Sequence, residues 1–121
     1  MSLAKFGIAL IAYLILDGIW LSTNPFYPKS LDTSSVARVV VGGGVAWVAL
    51  AAGQAMLPDA SSPEKSLVAG ALFGTVVYAV YNGTEFATRQ ADWNAGIALM
   101  DWIWGTFTGA LVAWLVYHVT R

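Results

Sequence analysis

Three carboxylates interrupt stretches of the sequence that are otherwise apolar. They are Asp17, Glu85 and Asp101. A charged side chain inside a membrane-spanning helix costs about 2.5 kcal/mol or more on insertion scales, so each one marks a candidate ligand or proton site. Three acids that lie close together cannot all be ionised at low cost, which favours a ligand or proton site.

Aromatic and polar residues accompany these acids at helical spacing. Asp17 and Trp20 are three residues apart in LDGIWL, and Asp101 and Trp104 are three apart in MDWIWG. Such spacing places both members of a pair on one helix face. In the third apolar segment, five residues that are each three or four positions apart form a stripe along one helix face. They are Gly74, Tyr78, Asn82, Glu85 and Arg89. Faces of this kind are predicted to point into a bundle and towards one another.

Two interpretations of these side chains stay open. In the first, the acids pair with Arg38 and Arg89, or accept hydrogen bonds from tyrosines and indoles, and only lock the bundle together. In the second, they form a ligand or proton site. The candidate residues are the same in both: Asp17, Trp20, Arg38, Tyr78, Tyr81, Asn82, Glu85, Arg89, Asp101 and Trp104.

The elements that must position these residues are four apolar segments. Of the 121 residues 58% are hydrophobic and only 11% are charged, whereas soluble domains carry roughly 25% charged residues. The segments cover about 3–22, 36–57, 66–88 and 95–119, each close to the roughly 20 residues that cross a bilayer. We therefore predict an all-α, integral membrane four-helix transmembrane bundle that forms a single transmembrane domain over residues 1–121.

An up-and-down arrangement of these helices predicts where the acids lie. All three fall in the membrane half opposite the termini, together with Arg38 and Arg89. The orientation stays undecided, because basic residues balance on the two sides. One side has Lys5, Lys65 and Arg121, and the other has Lys29, Arg38 and Arg89.

Other residues have structural interpretations. Gly70 with Gly74, and Gly105 with Gly109, match the small-residue motif of closely packed membrane helices. A second small face consists of Gly42, Ala46, Ala49 and Gly53. Trp93, Trp102, Trp114 and Tyr117 are interpreted as interfacial residues. Ser61 with Glu64 resembles the capping box of a helix N-terminus.

The sequence argues against several kinds of site. It has no cysteine and one histidine, His118, which is predicted to lie on the side away from the acids. A nucleophile–histidine pair and a phosphate-binding loop are therefore not predicted, and neither a cofactor nor a metal site is expected. The net charge of −1 argues against nucleic-acid binding.

The sequence resembles a family of bacterial predicted membrane proteins, the domain of unknown function 2177, over nearly its whole length. The motifs that carry the resemblance are Asp17-x-x-Trp20-Leu21, Phe26-Tyr27, Tyr78-x-x-Tyr81-Asn82-x-Thr84-x-x-Ala87-Thr88, Trp93 and Asp101-x-x-Trp104-Gly105. In the family, Asn often occupies the position of Glu85, which implies that the polar site does not require an acid there. The resemblance implies four helices and the location of the site, and it supplies no reaction.

Three functions agree with these observations. The favoured hypothesis is a non-enzymatic membrane protein that binds a lipid, a pigment or a partner subunit through a polar, aromatic-rimmed pocket in one membrane half. The second is a membrane-embedded enzyme or accessory factor of lipid modification that uses the intramembrane carboxylates. The third is a small proton-coupled transporter that acts as an oligomer. The expected partners are membrane lipids, and a partner membrane subunit or a second copy of the chain.

Overall fold

The structure, a computed structural model, describes residues 2–28, 34–89 and 91–121. Four helices account for most of these residues. They are α1 (Leu3–Thr23), α2 (Val36–Met56), α3 (Pro63–Thr88) and α4 (Ala95–Val119). No strand occurs in these described ranges. The predicted all-α four-helix bundle is confirmed, and each helix is long and apolar enough to cross a membrane. Lys29, which entered the charge balance, and Gln90, in the predicted third connection, lie outside the described residues.

Each helix begins at a polar N-cap residue. The side chains of Ser2, Ser35, Ser62 and Asn94 each accept a hydrogen bond from the backbone N–H three residues later, which satisfies a donor that the helix itself leaves unpaired. The predicted start of the third helix is corrected on two counts. The helix begins at Pro63 rather than near residue 66, and Ser62 rather than Ser61 is its cap. Proline suits the first helical position because that residue needs no N–H there.

The glycines of α3 and α4 let these two helices approach each other closely. A Cβ added at Gly70 or Gly74 would overlap the backbone of Gly109 or Gly105, respectively, on α4. The predicted close-packing role of both motifs is confirmed. A Cβ at Gly109 would likewise meet the backbone of Gly70, and one at Gly105 would meet the ring of Tyr78. The pair of α3 and α4 is the most extensive helix pair of the bundle.

Helix α2 packs on α1 and makes few contacts with α3 and α4. Its buried residues, Ala51, Gln54 and Ala55, all lie near its C-terminal end. The predicted small face of α2 is therefore only partly a packing face. A side chain at Gly53 would meet the ring of Phe73 on α3, whereas one at Gly42 would meet nothing. The first half of α2 is thus left apart from α3.

A buried layer closes the bundle near its middle. Gln54 is only 3% exposed, and its Nε2 donates to the Tyr13 hydroxyl at 3.0 Å and to the Gly109 carbonyl at 2.9 Å. This amide joins α1, α2 and α4. The termini lie on one side of the layer, where Lys5 pairs with Asp59 of the α2–α3 connection. The acids predicted to form the site lie on the other side.

Candidate functional site

Asp17 lies on α1 and receives two indole donors. The Trp47 Nε1 on α2 donates to one carboxylate oxygen at 2.9 Å, and the Trp104 Nε1 on α4 donates to the other at 3.0 Å. The side chain is only 7% exposed. A buried carboxylate is tolerated when its oxygens are hydrogen-bonded, so this acid links three helices.

Asp101 on α4 has a different set of donors. One oxygen accepts from the Tyr27 hydroxyl, and the other accepts from the Asn82 Nδ2 at 2.7 Å. The Trp20 Nε1 donates to the Tyr27 oxygen at 2.6 Å, which leaves the Tyr27 proton for the carboxylate. Burial and the neighbouring carboxylate raise the pKa of Tyr27 above its ordinary value. Tyr27 therefore stays a neutral hydrogen-bond donor to Asp101.

The Asp-x-x-Trp motifs of α1 and α4 contact each other. The rings of Trp20 and Trp104 are stacked, with centroids 4.2 Å apart and planes 6° apart. The Trp104 Nε1 also donates a hydrogen bond to Asp17, which belongs to the motif of α1. The Asp-x-x-Trp pairs of the two antiparallel helices thus cross-connect, and they flank one region as the spacing predicts.

Asn82 connects this region to the α3–α4 connection. Its amide nitrogen bonds Asp101, and its oxygen accepts from the Trp93 Nε1 at 3.2 Å. The interpretation of Trp93 as an interfacial residue is wrong, because its side chain is only 2% exposed. It follows α3 by a few residues, and the connection folds it back against the end of that helix. In this buried position the indole N–H has a protein partner, Asn82, in place of the water and head groups of a membrane interface.

Glu85 and Arg89 form a separate ion pair rather than joining the two buried acids. Arg89 lies 3.1 Å from Glu85 and 2.8 Å from Asp92, measured between charged atoms. Its guanidinium also lies 5.4 Å from the ring centre of Trp93. Arg38 is exposed at the beginning of α2. In the described residues, neither basic side chain forms an ion pair with Asp17 or Asp101, so the proposed pairing of these acids with Arg38 and Arg89 holds only for Glu85.

A cavity of about 500 Å³ adjoins the two buried acids. Apolar residues of α2 and α3 form its walls, while α1 and α4 contribute the acids and the stacked indoles. The cavity lies where α2 and α3 make few contacts with each other. Its lining residues are Asp17, Trp20, Leu21, Tyr27, Gly43, Ala46, Trp47, Ala49, Leu50, Phe73, Val77, Tyr78, Tyr81, Asp101 and Trp104.

The structure brings together most of the predicted site residues. Six of them line the cavity, and Asn82 supports Asp101 from behind; the six are Asp17, Trp20, Tyr78, Tyr81, Asp101 and Trp104. The sequence prediction missed Tyr27 and Trp47 as hydrogen-bond donors to the acids. One sequence feature could have identified Tyr27, because this residue belongs to a motif of the family resemblance. The feature that could have identified Trp47 is weaker: Gly43, one turn earlier in α2, leaves room for its ring.

The arrangement can accept hydrogen bonds and attract positive charge next to an apolar surface. Among the described residues, no three metal-ligating side chains lie close enough to hold a metal ion. His118 lies at the far end of α4, with its ring centre 4.4 Å from that of Trp114 and 5.1 Å from that of Tyr117. The polar groups that face the cavity are therefore carboxylates, phenols and indoles.

Comparison with known proteins gives a family and nothing more specific. No curated protein and no solved structure matches the chain. The sequence model of the predicted membrane proteins called domain of unknown function 2177 matches residues 2–118. Together with the four membrane-length helices, this match makes the chain a multi-pass integral membrane protein and confirms the resemblance: it belongs to the predicted membrane protein family DUF2177.

Proposed function

We propose that the protein binds an amphiphilic membrane molecule in the cavity between α2 and α3. The observation that carries the proposal is the combination of a largely apolar cavity, between two helices that make few contacts, with two buried carboxylates. Ligand pockets are typically apolar, with a few polar groups that fix the orientation of the ligand. The apolar part of the molecule would lie against the walls, and its polar end would contact Asp17 and Asp101.

The geometry of α2 supports entry from the membrane. Ala46 and Ala49 line the cavity and are exposed, so small side chains stand where a molecule would pass. On the opposite wall, Phe73 and Val77 offer an apolar surface. A lipid-like molecule could therefore enter without crossing a polar barrier.

The test fills the cavity with larger side chains and identifies the small molecules that still co-purify with the protein. The variant Ala46→Phe/Ala49→Phe places two rings in the opening. Its matched control, Val45→Phe/Val48→Phe, adds the same rings to exposed positions of α2 that do not line the cavity. Each protein is extracted in mild detergent, and its bound small molecules are measured by mass spectrometry.

We expect a stoichiometric amphiphile in the wild type and in the control, and its loss from the cavity-filled variant. Equal amounts in all three proteins would contradict the proposal. A second protein that co-purifies in place of a small molecule would contradict it too, and would favour the hypothesis of a partner subunit.

A further inference from the structure

The described residues give the cavity two acids and no basic side chain. Lys5 and Arg89 form the ion pairs of the described residues, and both pair with acids other than Asp17 and Asp101. In the described ranges, no Lys, Arg or His lines the cavity. Within the described residues, the two carboxylates that it contains are therefore held by neutral donors.

The hydrogen bonds at Asp17 match an ionised carboxylate. Both of its oxygens accept from an indole N–H, of Trp47 and of Trp104. An indole can donate a hydrogen bond but cannot accept one. A protonated carboxyl would need an acceptor for its own proton, and neither indole supplies it. A negative charge at this depth without a cation is unfavourable, so a positively charged ligand would gain from binding beside it.

The aromatic lining adds a second attraction for a cation. The stacked rings of Trp20 and Trp104 lie beside the acids, and Trp47, Tyr78 and Tyr81 contribute further aromatic surface. Cations bind to the faces of such rings, and aromatic cages recognise organic ammonium groups in this way. Acids and aromatic rings together thus favour one kind of head group over neutral or anionic ones.

We infer that the cavity selects amphiphiles with a cationic head group, an amine or a quaternary ammonium, which binds between the carboxylates and the aromatic rings. The inference rests on the proposed function, because it names the class of molecule that the same cavity takes. It assigns the apolar part of the molecule to the walls from α2 and α3, and the positive charge to the end that contains Asp17 and Asp101.

Three probes with the same alkyl chain test the head-group preference. They are dodecyltrimethylammonium, dodecanol and dodecanoate, titrated below their micellar concentrations into the full-length protein in lipid nanodiscs, with empty nanodiscs as the blank. We expect the cationic probe to bind about tenfold more tightly than the neutral one. Cation–π and charge attraction in a desolvated site are strong enough to produce a difference of this size. The anionic probe should bind most weakly.

Two variants separate the buried acids from the other acids. Asp101→Asn replaces the carboxylate by an amide of similar shape, to which Tyr27 can adapt because its hydroxyl donates or accepts. The ratio of the affinities of the cationic and the neutral probe should then fall towards equality. The matched control Glu85→Gln removes an acid that pairs with Arg89 outside the cavity. It should keep the full preference. Asp17→Asn provides a second buried variant for the case in which Asp101→Asn does not fold.

The outcomes distinguish failure of the inference from failure of the proposed function. If all three probes bind equally, and Ala46→Phe/Ala49→Phe abolishes their binding, the cavity takes amphiphiles but the charge selection is wrong. A loss of preference in Glu85→Gln as large as that in Asp101→Asn would also overturn the inference, since general surface charge would then explain it. If filling the cavity changes the binding of no probe, the proposed function itself is wrong.

Discussion

At the scale of single residues, indole N–H groups take the role that basic side chains often have beside buried acids. Asp17 is held by Trp47 and Trp104, and Asp101 is held by Tyr27 and Asn82. Neutral donors satisfy the carboxylate oxygens without cancelling the charge. The hydrogen bonds thereby fix both acids in position without a basic partner among the described residues.

The bond between Trp47 and Asp17 can be measured with a double-mutant cycle. Trp47→Phe and Asp17→Asn should each lower the free energy of unfolding, and their combination should lower it by about 1 kcal/mol less than the sum, because the second change finds the bond already lost. Reversible unfolding in mixed micelles measures all four proteins.

Trp114→Phe serves as the control in the same cycle. Trp114 packs against His118 at the other end of the bundle, so its effect and that of Asp17→Asn should add. A coupling as large as that of Trp47 would show that the measured energy does not report the bond to Asp17.

The residues of the site differ in how well the sequence predicts them. Asp17 and Trp20, and Asp101 and Trp104, share a helix face by spacing alone, so their convergence follows once the helices pack. Tyr27 and Trp93 lie in connections, whose course no helical period describes. Their burial depends on tertiary contacts with Asp101 and Asn82 that become visible only in the folded chain.

At the scale of elements, α3 and α4 form a rigid hairpin and α2 is its loosely held neighbour. The sequence predicts the hairpin well, since the motifs of Gly70 with Gly74 and of Gly105 with Gly109 are specific. It does not predict that the similar small residues of α2 would leave space instead of packing. Small side chains allow close approach, but whether a partner helix arrives depends on the rest of the bundle.

The hairpin contact can be tested with one added methyl group. Gly74→Ala should destabilise the protein by about 2 kcal/mol, because the new Cβ would overlap the backbone of Gly105, which cannot move aside without separating the helices. Thermal unfolding in detergent, followed by circular dichroism, measures the change. Gly83→Ala is the control on the same helix, where a Cβ meets nothing within 4 Å. Equal losses in both variants would contradict the close contact.

At the scale of the whole molecule, the bundle has two different ends. At one end, Lys5 pairs with Asp59, and the Arg121 guanidinium donates to the Ala60 carbonyl at 2.6 Å. These contacts bring the beginning of α1, the α2–α3 connection and the end of α4 together. The acids of the cavity lie towards the other end, as the order of the helices along the chain predicts. The sequence gives no orientation by the positive-inside rule, because three basic residues fall on each side.

Cysteine labelling tests this arrangement without background, since the chain has no cysteine of its own. A membrane-impermeant maleimide should label Ser2→Cys and Ser61→Cys from one side of the membrane, and Ala91→Cys from the other. Sealed vesicles of both orientations provide the measurement, and the unaltered protein is the control. Labelling of all three positions from the same side would contradict the single crossing of the membrane by α3 between Ser61 and Ala91.

The positions of the tryptophans give the protein a built-in optical reporter. Trp20, Trp47 and Trp104 line the cavity, and Trp93 lies just behind it through Asn82. Only Trp102 and Trp114, of the six in the sequence, lie elsewhere. Since indole emission responds to the polarity around the ring, intrinsic fluorescence is dominated by this one region. A change of occupant should therefore shift or quench the emission without any attached dye, so the spectrum can follow filling and emptying in real time.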